Sequence, residues 1–301
     1  MLSLLEKKVP TGRAVYKILL YNIELVSTLD FGGSSVLPVF HHQDMHLYYQ
    51  ESDKREDKTR GLPVVFVHGA GSSRRTWHMQ TEAFEFTHRV LAIDLSGHGE
   101  SEAGPDEASI EGFAAELATL IEHLDLRDFV LVGHSMGGGV VMSYVLNAEY
   151  RKPLAITLVD THPTLELSRL ATGLAIETIE TQLYLFRGRK ERGKNGPYDI
   201  IREEEDIKRR NPRIISRDLA AADKFNVADR VADIDVPVFV IVGERDDIVT
   251  PQMAKQFKES LPRADIAVVK KSDHVPMLQN PEHFNELLRK FLEWVEEKCK
   301  K

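Results

Sequence analysis

Gly133-His134-Ser135-Met136-Gly137 stands between the apolar run Phe129-Val130-Leu131-Val132 and the small-residue stretch Gly138-Gly139-Val140-Val141-Met142. The run before it is short, apolar and bounded, the pattern of a fully buried strand; the stretch after it reads as a helix packed closely at its start. A serine in G-x-S-x-G at a strand-to-helix turn is a nucleophile elbow. The turn forces strained backbone angles on the serine, and the flanking glycines let neighbouring segments approach closely. Ser135 is therefore the candidate nucleophile. The competing reading is a glycine-rich turn without chemistry.

A serine hydroxyl is a weak nucleophile until a base takes its proton, and that base needs an orienting acid. Both residue types follow at the ends of further strand-like runs. Val236-Pro237-Val238-Phe239-Val240-Ile241-Val242 is closed by Gly243-Glu244-Arg245-Asp246-Asp247, and Ile266-Ala267-Val268-Val269 leads to Ser272-Asp273-His274-Val275-Pro276. Serine, aspartate and histidine each lie a few residues beyond the carboxyl end of a β-run, the edge at which ligand and catalytic groups gather in open parallel sheets. His274 is the expected base and Asp246 the expected acid, with Asp247 and then Asp160 as rivals for the acid role.

From about Leu62 to Val295 the chain resembles the α/β-hydrolase superfamily, in its capped serine esterase and carbon–carbon bond hydrolase-like branch. The resemblance rests on the elbow, on the order Ser…Asp…His, and on three loops. Val67-His68-Gly69-Ala70-Gly71 is similar to the family's oxyanion loop, and Asp94-Leu95-Ser96-Gly97-His98-Gly99-Glu100-Ser101 to its loop after strand four. His274-Val275-Pro276, with Asn280-Pro281-Glu282 beyond it, resembles the family's histidine loop. The family spacing, with the acid three residues beyond Gly243, favours Asp246. Asp273 departs from the usual glycine, which puts the charge balance of the imidazole in question.

The resemblance implies an α/β fold with a mostly parallel central sheet flanked by helices and a helical cap insertion. The expected division is an N-terminal extension over 1–35, a core over 36–161 and 233–301, and a cap over 162–232. Strands are expected within 36–50 and 62–68, at Val90–Ile93 and at Ala155–Val159. Ser109 is expected to cap a helix with apolar face Ile110, Phe113, Leu117, Leu120, Ile121 and Leu124, and a closing helix buries Phe284, Leu288, Leu292 and Val295. The alternation of strand and helix fails between His162 and Ala232, where helical runs occupy Leu167–Phe186 and Ile214–Phe225. A basic loop over 187–194 and an acidic run over 203–206 lie in the same segment; a solvated face explains both.

With 301 residues, 42% of them hydrophobic, the chain can bury one large core plus a small insertion. A net charge of −8 argues against nucleic acid and against anionic membrane surfaces as partners. The single cysteine, Cys299, points to a reducing compartment, and a cytoplasmic location is expected. The greasy stretch Ile18–Val26, interrupted by Asn22 and Glu24, is too short to span a bilayer. His41, His42, Asp44 and His46 superficially suggest a metal site, but strand alternation splits them, so no metal and no cofactor is expected.

In the expected chemistry His274 accepts the Ser135 proton while Asp246 fixes the imidazole tautomer. Backbone N–H groups of Met136 and Ala70 would hold the oxyanion, each donor worth about 3 kcal/mol of transition-state stabilisation. His68 and His98 read as structural, and His134 as pointing away from the serine. Trp77, Met79, Met136 and Phe186 suit an acyl pocket or the core equally well. The leading expectation is a serine hydrolase that cleaves a carboxylic ester of a small or medium acyl compound. Carbon–carbon bond hydrolysis, cofactor-free perhydrolysis and a non-catalytic ligand receptor stay open, as do the natural substrate and the oligomeric state.

Overall fold

Eight strands build the central sheet, and their side chains alternate between two apolar layers. The computed structural model describes residues 5–8, 14–20, 23–29, 38–104, 106–165 and 212–299. The sheet strands are β4 (Val39–His42), β5 (Met45–Ser52), β6 (Val64–Val67), β7 (Val90–Ile93), β8 (Val130–His134), β9 (Ala155–Val159), β10 (Val238–Gly243) and β11 (Ala264–Val269), in spatial order β11-β10-β9-β8-β6-β7-β5-β4. Pairing is parallel from β11 through β7, and only β5 and β4 run antiparallel to their neighbours. The expected mostly parallel sheet is thus present, and the expected strand over 36–50 is a hairpin of two strands.

The core strands are buried on both faces, which explains why they read as continuous apolar runs. Val65, Val67, Leu131, Val238, Val240 and Val242 point into one layer, and Val64, Phe66, Val130, Val132, Phe239 and Ile241 into the other. The first layer is closed by α2 (Ile110–His123) and α3 (Met136–Val145); the second by α1 (His78–Phe84) and α7 (Pro281–Cys299). Ser109 caps α2, its Oγ accepting the Gly112 N–H at 3.0 Å. Phe284, Leu288, Leu292 and Val295 of α7 are buried at the expected spacing. Helix α5 (Pro251–Ser260) begins at Thr250, whose Oγ1 accepts the Met253 N–H, with Pro251 in the first turn where no N–H is needed. Short α6 (Pro276–Gln279) follows β11.

The expected cap is described only at its ends. Helix α4 (Pro212–Lys224) matches the helical run expected from Ile214, and a bridge between Thr164 and Asn226 ties the two ends together. The run Leu167–Phe186, the basic loop, the acidic run and Phe186 lie outside the described residues. In the N-terminal extension β1 (Leu5–Lys8), β2 (Ala14–Leu20) and β3 (Ile23–Leu29) form a separate antiparallel sheet. The greasy stretch from Ile18 to Val26 is therefore shared between two paired strands. No helix among the described residues is long and apolar enough to cross a membrane.

The loops at the carboxyl edge are fixed by buried polar groups. His68, fully buried after β6, donates from Nδ1 to the Gly69 carbonyl at 2.8 Å and accepts the Leu95 N–H on Nε2 at 3.2 Å, which ties the β6 loop to the β7 loop. Burial pushes this imidazole down from 6.5 to about 3, and the neighbouring His98 adds to the effect. An unfolded chain takes up a proton at His68 below pH 6.5 whereas the folded one does not until about 3, so stability falls as pH drops through that window. The loss is on the order of 4–5 kcal/mol by pH 3. Unfolding free energies measured between pH 7 and 4 should therefore fall less steeply in His68→Gln than in the parent. Equal slopes would contradict the assignment.

Candidate active site

The elbow is built by steric necessity. Ser135 has φ 51° and ψ −118°, a conformation that few non-glycine residues adopt. It is held there by its neighbours: its N–H donates to the Val159 carbonyl at 2.9 Å, and its carbonyl accepts the Thr161 hydroxyl at 2.8 Å and the Gly138 N–H at 2.9 Å. A side chain at Gly133 would strike the Gly137 backbone, and one at Gly137 would strike the carbonyl oxygens of Val67 and His68. Helix α3 thus starts directly against the end of β6, a contact that only glycine permits.

The three predicted side chains meet at the carboxyl edge of the sheet although they lie far apart in sequence. Ser135 Oγ stands 3.1 Å from His274 Nε2, and His274 Nδ1 is 2.8 Å from Asp246 Oδ2. With Nδ1–H donating to the carboxylate, Nε2 is left to accept the serine proton. Asp246 Oδ1 accepts the N–H groups of Ile248 at 2.8 Å and Val249 at 3.0 Å. Burial alone would raise the Asp246 carboxyl, but the imidazole and these hydrogen bonds outweigh it and hold the group below the usual carboxylate range. Asp247 is exposed at the surface. Asp160, at φ 43° after β9, is buried behind Asp246 and accepts the Gly243 N–H at 2.8 Å. Its carboxyl lies close to both other groups, with ligand atoms of Asp160, Asp246 and His274 within 4.8 Å of one another.

Met136 opens α3 immediately after the serine, and Ala70 lies in the loop that follows β6. Gly69 brings that loop against His134 and Ser135 so closely that an added Cβ would lie 2.9 Å from His134 Nδ1 and 3.3 Å from Ser135 Cβ. Two buried carboxylates set the course of the loop. Asp94 accepts the Arg74 N–H at 2.7 Å and the Glu100 N–H at 3.1 Å and pairs with the Arg74 guanidinium. Asp218 of α4 reaches in to accept the Gly71 N–H at 2.8 Å and His98 Nε2 at 2.6 Å. Arg217 beside it donates to the Ser96 carbonyl at 2.8 Å. Helix α4 is thereby tied to the residue next to the expected oxyanion donor.

The structure also places the other residues singled out in the sequence. His134 donates from Nε2 to the His274 carbonyl at 2.7 Å, so it supports the histidine loop, a role the sequence reading does not assign. Asp273 is drawn to Arg245, at 3.0 Å, and to Gln279, which places its charge away from the imidazole nitrogens. Trp77 is no pocket residue: it is fully buried in the core against Phe66 and Phe284. Met136 is likewise a core residue, and Met79 packs against the same layer as Trp77. Across the β4–β5 hairpin the His41 and His46 rings meet at 4.4 Å with their planes tilted by 60°, while His42 turns to Thr119 of α2, as strand alternation requires.

The family described as the Alpha/beta hydrolase family matches residues 64–287. An (E)-2-((N-methylformamido)methylene)succinate hydrolase from Acinetobacter baylyi is 27% identical over 251 residues, which cover 79% of this chain and 92% of that protein. A non-heme chloroperoxidase from Kitasatospora aureofaciens is 28% identical over 259 residues, covering 79% of this chain and 94% of that one. Among solved structures, a thermophilic esterase from Thermogutta terrifontis superposes with a TM-score of 0.68 at 25% identity, covering 83% of this chain and 94% of its own. The match spans the elbow, the acid loop and the histidine loop together with the strands that carry them. The chain belongs to the alpha/beta hydrolase family.

Proposed function

We propose that this protein is a serine hydrolase that cleaves a carboxylic ester of a small or medium acyl compound through an acyl-enzyme. The observation that carries the reading is the continuous hydrogen-bonded line from Asp246 through His274 to Ser135, with the serine at the head of a strained turn. In this reading Ser135 Oγ attacks the ester carbonyl carbon as His274 Nε2 takes its proton. The carbonyl oxygen gains negative charge and is held by the N–H groups of Met136 and Ala70. When the tetrahedral adduct collapses, the C–O bond to the alcohol breaks and His274 returns the proton to the leaving oxygen. Water, deprotonated by the same imidazole, then attacks the acyl carbon and frees Ser135.

A second reading has a specific support. The similarity to a non-heme chloroperoxidase favours hydrogen peroxide as an alternative acyl acceptor on the same serine. Peroxide would replace water in the second half of the cycle, and the product would be a peracid rather than an acid. The first half of the cycle is common to both.

Turnover of p-nitrophenyl esters of graded acyl length, with and without peroxide and beside a carbon–carbon bond substrate, tests the reading. Ester hydrolysis is expected; no turnover of any of these compounds would favour a ligand receptor. Ser135→Ala should abolish hydrolysis at an unchanged melting temperature, and retained activity would overturn the assignment. Asp246→Asn should lower kcat by as much as about 10⁴-fold, the cost of the wrong imidazole tautomer. Asp247→Asn should stay close to the parent, and equal losses at the two positions would mean the acid is misassigned.

A further inference from the structure

Asp160 is a buried carboxyl that the cycle above does not use. It is 1% exposed, sits at positive φ at the end of β9, and its N–H donates to the Ile241 carbonyl at 2.9 Å. One oxygen, Oδ1, accepts the Gly243 N–H. The other, Oδ2, is buried and no donor among the described residues reaches it. The Asp246 carboxylate is the neighbouring charge, and ligand atoms of Asp160, Asp246 and His274 converge to within 4.8 Å of one another. Two ionised carboxylates at that separation in a dry site repel strongly, so one of them carries a proton. The hydrogen bonds decide which. Asp246 accepts three N–H donors, from Ile248, Val249 and the imidazole, and each stabilises its anion. Asp160 accepts one.

We propose that Asp160 is a neutral positioning residue behind the triad, a carboxylic acid whose Oδ2–H donates to Asp246. The inference rests on the serine hydrolase reading for its catalytic consequence, though not for the proton itself. The donated bond satisfies Oδ2, clamps the acid loop between the ends of β9 and β10, and withdraws charge from the Asp246 carboxylate. The proton stays on Asp160 throughout the cycle, so the buried pair keeps a single negative charge to balance the imidazolium. Burial and the adjacent Asp246 charge raise the Asp160 carboxyl well above the usual carboxylate range, which agrees with this placement. The titratable groups that face it are Asp246 and His274.

The neutral form predicts an asymmetry between two substitutions. Asp160→Asn keeps an acceptor for the Gly243 N–H and supplies an amide N–H to Asp246. Its kcat and the acid limb of its kcat/KM profile should stay within about threefold and a few tenths of a pH unit of the parent. Asp160→Ala removes the donor. It should lower kcat about 10- to 100-fold, the worth of one hydrogen bond to a charged group, with KM little changed. The acid limb should move to higher pH, because the unrelieved Asp246 charge favours the imidazolium.

Either of two kinetic outcomes in Asp160→Asn overturns the proposal: an acid limb moved to lower pH, which would mean the parent residue carries a charge, or a loss as large as in Asp160→Ala. An unshifted acid limb in Asp160→Ala, with only a lower melting temperature, would reduce the residue to a structural role and also overturn it. Infrared difference spectra between the parent and Asp160→Asn at pH 7 separate this from the hydrolase reading. The carbonyl band of a protonated carboxyl should be present in the parent and in Ser135→Ala and missing from Asp160→Asn. Absence of that band in the parent overturns the proposal whether or not the protein turns over esters, and absence of turnover with the band present overturns the hydrolase reading alone.

Discussion

A serine at φ 51° does not hold that conformation by itself, and the strain costs on the order of 1–3 kcal/mol. The surrounding packing offsets it. The Ser135 N–H and carbonyl are fully engaged by β9, by Thr161 and by the first turn of α3. The glycines on either side let α3 press against the end of β6 without a side chain between them. Everything else at the carboxyl edge is arranged around this fixed point. The β6 loop reaches the serine because Gly69 fits against it, and the histidine loop is held by the hydrogen bond from His134, the residue just before the serine.

The second constraint is charge in a dry setting. Asp94, Asp160, Asp218 and Asp246 are each buried near the elbow, and an unpaired buried carboxylate costs several kcal/mol. Each meets a different solution. Asp94 takes an arginine and two backbone N–H groups; Asp218 takes a histidine, a neighbouring arginine and a backbone N–H. Asp246 takes the candidate base and two N–H groups. Asp160, with one N–H donor, is left to resolve its charge against Asp246. The same groups that satisfy these carboxylates lock the loops on which the site depends, so stability and geometry have a common origin.

Local features of this arrangement are legible in the sequence because contiguous residues encode them. A strand buried on both faces is an apolar run, the elbow is five residues long, and the acid and histidine loops each follow a strand directly. What escapes the sequence is contact between distant segments. Nothing around His134 announces that its partner is the carbonyl of His274. Asp218 left a fainter trace: it falls on the same helical face as Ile214, Ala222 and Phe225, where an acidic residue is out of place unless it has a buried partner. Trp77 was ambiguous because a large aromatic suits a pocket and a core alike. The three N-terminal strands were hidden because Val15-Tyr16-Lys17-Ile18-Leu19-Leu20 lacks clean alternation and no glycine or proline marks their ends near residue 21.

The central claim is that Ser135, His274 and Asp246 act as one unit facing an oxyanion site made by Met136 and Ala70. It is tested most directly by a crystal structure of the protein after reaction with a serine-directed phosphonate. The account predicts a covalent bond from Ser135 Oγ to phosphorus, with one phosphoryl oxygen about 2.7–3.1 Å from the N–H nitrogens of Met136 and Ala70. His274 should remain between the adduct and Asp246. An adduct on any other residue, or a phosphoryl oxygen turned away from those two nitrogens, would contradict it.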